Sequence, residues 1–171
     1  IGSALSEANA GDIFVTQNET NGQYEAAKIA KELGLRVMYA AAPFSADAIM
    51  ALDGLIDILV LNEVEAGQLQ DATGKDVSEL GIAQVLITKG ADGVTVYDNG
   101  TRLDVPAVKV DAVDTTGAGD TFTGYFAAGL DRGFGLEQSL NLAVQAAAIM
   151  VTRHGTADVI PDLKDVQDAK L

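Results

Sequence analysis

Cysteine is absent from the 171 residues. Disulfide frameworks, thiolate zinc sites and thiol nucleophiles are therefore excluded. The same absence fits a cytoplasmic protein. Tryptophan is also absent, histidine occurs once and proline three times. Cations are scarce. Lys plus Arg number 11 against 25 Asp plus Glu, a formal net charge of −14 at pH 7. A chain this acidic is a poor binder of nucleic acid or anionic membrane, because neutralising phosphates takes clustered cations. Long apolar runs are missing too. The most apolar stretch, Leu142 to Val151, contains Gln145 and is too short to span a bilayer. The opening, Ile1-Gly2-Ser3-Ala4-Leu5-Ser6-Glu7, has neither the basic segment nor the apolar run of a targeting signal. It begins with Ile rather than Met, so the chain is expected to be a piece of something longer. With 48% hydrophobic and 21% charged residues, it is expected to fold as one domain, 1–171, with a substantial core.

Short β-like runs alternate with amphipathic stretches. Strands are expected at 12–16, 36–39, 56–61 and 84–88, and helices at 20–33, 45–52, 63–71 and near Ser78. The strands are near-continuous apolar runs, the mark of a parallel sheet buried on both faces. The pattern then changes. Asn99-Gly100 stands between two strand-like runs and predicts a β-hairpin near 93–105, because Asn-Gly readily supplies two positive φ values. Two helices follow, Ala118 to Asp131 and Leu136 to Arg153, the second apolar on almost every side and so expected to be buried. A final exposed helix is expected over Asp162 to Leu171. No repeat or linker interrupts the chain, and the whole reads as one layered α/β structure with a mostly parallel sheet.

The strongest chemical feature is Asp114-Thr115-Thr116-Gly117-Ala118-Gly119-Asp120-Thr121-Phe122. Gly117 and Gly119 let the backbone approach a ligand closely. The segment opens directly into a helix, whose first amides are unpaired and whose dipole end is positive. Asp120 then sets a carboxylate where an anion would bind. That is costly unless the carboxylate works. The work open to it is accepting a proton from a hydroxyl that attacks a bound phosphate. The alternative is a tight turn with Asp120 as a helix cap. Other phosphate motifs fail. Gly74-Lys75 is followed by Asp76 where a Walker loop needs Ser or Thr, and Phe122 stands where a dinucleotide fingerprint needs glycine.

With Gly124, this run resembles the C-terminal motif of the ribokinase, or PfkB, family of carbohydrate kinases. Three further segments agree with that family in order and spacing. Asn62-Glu63-Val64-Glu65 resembles its Asn-x-x-Glu element. Thr88-Lys89-Gly90-Ala91-Asp92-Gly93-Val94 resembles its Thr-x-Gly-x-x-Gly segment. Val151-Thr152-Arg153-His154-Gly155 resembles the loop after its last core helix. The resemblance implies a three-layer α/β/α fold and an ATP-dependent sugar kinase. It implies that Asp120 is the catalytic base and that the amides of Gly117, Ala118 and Gly119 hold the transferring phosphoryl group. Asn62 and Glu65 would organise Mg²⁺ through its waters, the alternative being a plain helix cap. Asn62, Thr88, Gly90, Gly93, Gly119 and Val144 would line the nucleotide, and Glu19 would contact the sugar or, alternatively, begin a helix. Asp114 with Thr116, Met150, Arg153 and Gly155 resembles a potassium site. His154 is expected to be exposed and structural.

The sequence departs from ribokinases at Val159, at Val144 and at Ala40-Ala41-Ala42-Pro43. The resemblance covers the C-terminal portion of such a kinase, without its N-terminal sugar motif and β-sheet lid. Lids expel water and commit substrate to transfer, so efficient transfer is not expected from this portion alone. An uncovered sheet edge would also favour pairing with a second copy or with the missing part. Two other readings stand beside a sugar kinase: a non-catalytic nucleotide-binding module, and a kinase for a nucleoside or vitamin precursor.

Overall fold

The computed structural model describes residues 2–169, which fall into two compact units. The first holds the described residues to Thr88 together with Thr95–Leu103, and the second holds Lys89–Val94 with Asp104 onward. After a helical turn α1 (Gly2–Leu5), the first unit alternates strand and helix: β1 (Ile13–Gln17), α2 (Gln23–Glu32), β2 (Arg36–Ala40), α3 (Ala46–Ala51), β3 (Ile58–Asn62), α4 (Glu63–Thr73) and β4 (Gln84–Thr88). β5 (Val94–Asp98) and β6 (Thr101–Val105) complete a six-stranded sheet in the order β1-β2-β3-β4-β5-β6. The pairs from β1 to β4 are parallel, with Thr16 opposite Tyr39, Tyr39 opposite Leu59 and Leu59 opposite Val85.

The apolar runs explain this sheet. On one side Val37, Tyr39, Leu59, Leu61 and Val85 pack with Ala27 and Ala30 of α2, Ile49 of α3 and Leu69 of α4. The alternate residues Met38, Ile58 and Leu86 are equally buried, as expected for strands covered on both faces. Side-chain caps start α3 and α4. Ser45 Oγ accepts the Ala48 amide at 3.2 Å, which places the start of α3. The hairpin turn has Asn99 at φ 48° and Gly100 at φ 82°, the two positive values anticipated.

The second unit contains α5 (Ala118–Asp131), α6 (Leu136–Met150) and α7 (Leu163–Asp168). α5 and α6 pack closely because both are small at the crossing. A Cβ on Gly129 would stand 2.8 Å from Ser139 Oγ. α6 buries Leu140, Ala143, Val144, Ala146, Ala148, Ile149 and Met150, as its composition required.

Three expectations need correction. The helix expected from Thr20 begins at Gln23, because residues 18–21 form a turn. The helix expected to reach Arg153 stops at Met150, where the chain turns toward Gly155. The last helix is not simply exposed: Val166 is buried against Ala146 and Ile149, and residues 170 and 171 lie outside the described residues. No helix among the described residues is long and apolar enough to cross a membrane.

Candidate active site

In the first unit the candidate residues follow the carboxyl ends of parallel strands, where ligands gather in open α/β sheets. Glu19 lies exposed in the turn after β1, not at the start of α2, so the helix-start alternative for it falls away. Asn62 ends β3 directly opposite Thr88, which ends β4, so these two candidates are register partners. Thr88 Oγ1 also donates to the Leu61 carbonyl at 3.3 Å.

Asn62 stands just ahead of the helix that carries Glu65. It is the cap of α4. Its Oδ1 accepts the Glu65 amide at 2.9 Å, and Glu65 Oε2 accepts the Asn62 amide at 2.7 Å. This reciprocal box satisfies two amides that the helix start leaves unpaired. The second carboxylate oxygen of Glu65 takes no part in it. Among the described residues no three His, Asp or Glu side chains converge as a metal cluster.

In the second unit Gly90 and Gly93 bracket a tight loop. The Lys89 amide donates to the Gly93 carbonyl at 2.7 Å, and Lys89 Nζ lies 3.4 Å from Asp104 Oδ1. Gly93 has φ +94° and is buried against the backbone at Val105–Ala107. The glycine-rich turn ahead of α5 is built the same way. Gly117 caps α5 at φ 79°, a left-handed conformation, and its carbonyl accepts the Thr121 amide at 2.9 Å. A Cβ there would stand 2.7 Å from Met150 Cε, and Thr121 Oγ1 contacts Met150 Sδ. The Met150 side chain thus buttresses the turn, a role sequence reasoning missed. Thr121 and Met150 are 29 residues apart and no local pattern links them. Gly119 and Asp120 lie exposed in the first turn of α5, and the space where a Gly119 Cβ would stand is open. Val144 is buried on α6, whereas Asp120 is on the outside of α5.

Asp114 and the 150–155 turn are joined. The amides of Val113 and Asp114 both donate to the Val151 carbonyl, at 2.7 and 3.1 Å. The Arg153 amide donates to Met150 O at 3.0 Å, and the Arg153 guanidinium reaches Val159 O and the Asp165 carboxylate, both at 3.1 Å. Asp114 Oδ1 accepts the Thr116 amide at 2.9 Å. Hydrogen bonds from the Thr116 amide and hydroxyl, helped by the Gly155 amide and the charge of exposed His154, hold the Asp114 carboxyl below its ordinary range. A depressed folded-state pKa contributes stability above the unfolded value, near 4, and that contribution is lost as pH falls through the lower folded value. Asp114→Asn should therefore unfold at a lower urea midpoint than the unsubstituted chain at neutral pH, and the gap should close in acid. A gap that stays constant from neutral pH down to pH 3 would show that the charge is not what matters.

A mostly parallel six-stranded sheet, strand-end polar residues and a left-handed glycine opening α5 together define a ribokinase-like α/β fold. The chain belongs to the pfkB family of carbohydrate kinases, whose family model matches residues 4–163. It is similar to the ribokinase of Lactococcus lactis, with 34% identity over 162 residues, 93% of this chain and 53% of the relative. The Haemophilus influenzae ribokinase is 36% identical, with 88% of this chain and 53% of that protein covered. Among solved structures, the ribokinase of Thermotoga maritima matches with a TM-score of 0.82 and 32% identity, over 97% of this chain and 58% of that one. The Arabidopsis thaliana ribokinase complexed with ribose and ATP matches with a TM-score of 0.81 and 31% identity, over 91% of this chain and 54% of that one. The chain spans about half the length of the curated relatives it matches.

Proposed function

We propose that residues 1–171 act together as the nucleotide-binding and catalytic portion of an ATP-dependent sugar kinase. The observation that carries this reading is the turn into α5. The left-handed Gly117 opens the helix, with the exposed Gly119 and the Asp120 carboxylate in its first turn. Backbone amides at a helix start suit the oxygens of a phosphoryl group in transfer; here the Ala118 amide donates to the Thr115 carbonyl at 3.2 Å and would have to turn to the phosphoryl group. Asp120 would take the proton of a sugar hydroxyl, whose oxygen then forms a bond to the γ-phosphorus as the bond to ADP breaks. Thr88, Gly90, Gly93 and Val144 would line the nucleotide, and Glu19 would hold the sugar. The bound ATP and ribose of the Arabidopsis relative support both ligand classes.

The residues present fit the two metal ions that the family implies. Mg²⁺ binds one or two carboxylates and keeps waters and phosphates as its other ligands, so a single carboxylate oxygen of Glu65 outside the cap box suits it better than a dense acidic cluster. Mg²⁺ would neutralise phosphate charge. The ionised Asp114, whose segment is hydrogen-bonded to the 150–155 turn, would together with carbonyls of Thr116, Met150, Arg153 and Gly155 supply the hard oxygen donors that suit K⁺. Such an ion would order the turn that leads into α5.

The test is calorimetry of Mg-ATP binding to the chain, with and without potassium. Saturable binding that tightens in potassium is expected. Absence of binding would sink the nucleotide reading, and binding indifferent to potassium would remove the Asp114 site from it.

A further inference from the structure

Asn18 joins three segments through one residue. Its backbone amide donates to the Ala42 carbonyl at 3.0 Å. Its side-chain Nδ2 donates to the Pro43 carbonyl at 2.9 Å, and its Oδ1 accepts Gln23 Nε2 at 3.1 Å. The turn after β1, the loop after β2 and the first turn of α2 therefore meet here. β1 and β2 are neighbouring parallel strands, with Gln17 opposite Ala40, so both loops leave the same carboxyl edge of the sheet. Glu19, the next residue, is exposed.

An exposed loop samples many conformations, and ordering it on binding costs affinity. Here the ordering is already made. Two side-chain bonds of Asn18 fix the residue immediately before Glu19 to two different elements, leaving Glu19 a short, tethered turn. The backbone bond to Ala42 survives any substitution short of proline, but the two side-chain bonds do not. A purely local role would need only a bond within the turn. The partners lie 25 and 5 residues away, which makes this a device for holding two loops in register.

We infer that Asn18 is a positioning residue for the acceptor sugar: it presets Glu19 and the 42–43 backbone as one ledge, and sets sugar affinity without touching the sugar or the phosphate. This rests on the reading of Glu19 as a sugar contact. It assigns Asn18 an effect on one substrate only, which a general structural role would not have.

The experiment compares the full chain with Asn18→Ala, Asn18→Asp and Gln23→Ala, using D-ribose and Mg-ATP as probes and ADP release as readout. Asn18→Ala should raise the KM for ribose about tenfold, the loss of well-placed hydrogen bonds. Its kcat and its KM for ATP should stay at the unsubstituted values. Asn18→Asp keeps the acceptor for Gln23 but sets a carboxylate against the Pro43 carbonyl, and should match Asn18→Ala. Gln23→Ala removes one bond and should give a smaller rise. Hydrogen exchange over residues 18–20 and 42–45 should quicken in Asn18→Ala with other segments unchanged. An unchanged KM for ribose, or equal rises for ribose and ATP, would overturn the inference while leaving the kinase reading intact. Turnover without a lid is expected to be slow, so the ribose Kd by calorimetry is measured beside KM and should shift alike; absence of ribose binding to the unsubstituted chain, with Mg-ATP still bound, would overturn the acceptor reading and the inference with it.

Discussion

Asp120→Asn is expected to lower phosphoryl transfer by roughly 10²- to 10⁴-fold, the usual contribution of a positioned general base, while Mg-ATP binding persists. The side chain is exposed in the first turn of α5, so the near-isosteric amide disturbs no core packing. Losing a negative charge at a helix start costs about 0.3–1 kcal/mol. A carboxylate beside a bound triphosphate repels it, so ATP should bind the amide variant at least as tightly. Calorimetry and ADP release, measured on the same preparation, separate the two effects. Parallel loss of binding and turnover would make Asp120 a structural cap. Unchanged turnover would remove it from the chemistry altogether.

Gly93→Ala should be among the most destabilising single substitutions in the chain. The backbone at φ +94° and ψ −135° is a conformation that side chains rarely adopt, at a cost of about 1–3 kcal/mol. The added Cβ would collide with the Val105 carbonyl and stand 2.6 Å from the Ala107 amide. Both obstacles are backbone, which cannot swing aside as a side chain would, so overpacking adds about 1–3 kcal/mol. Against a total stability of about 5–15 kcal/mol this is a large fraction. The thermal midpoint should fall by about 10 °C. Gly119→Ala is the matched control. It lies in α5 with nothing within 4 Å of the new Cβ, so it should fold normally. A Gly93→Ala protein as stable as Gly119→Ala would show that the 89–93 loop yields freely.

The large features of the fold were legible because they are local or periodic. Apolar runs announced buried parallel strands, Asn99-Gly100 announced the hairpin, and the limits of α5 fall where Gly117 and the end of the apolar pattern put them. Family membership was legible in four short motifs, because each keeps its order and spacing along the chain. Helix ends were less legible. Residues 20–22 have the composition of a helix start, yet a turn precedes α2 there, with Thr20 Oγ1 accepting the Gly22 amide at 3.3 Å.

The candidate site was legible as a list of residues but not as an arrangement. That Asn62 and Glu65 cap each other could be weighed from their spacing of three. That Asn62 stands opposite Thr88 could not, since strand register is decided by packing between elements. Met150 behind Gly117 and Asn18 across from Pro43 were invisible for the same reason. By itself the sequence determined the α/β class, the hairpin, the family and the chemical groups on offer, because periodicity, turn propensity and motif spacing are written along the chain. Only the tertiary structure decided which of those groups are buttressed, paired or tied together, because those contacts join residues tens of positions apart and depend on how whole elements pack.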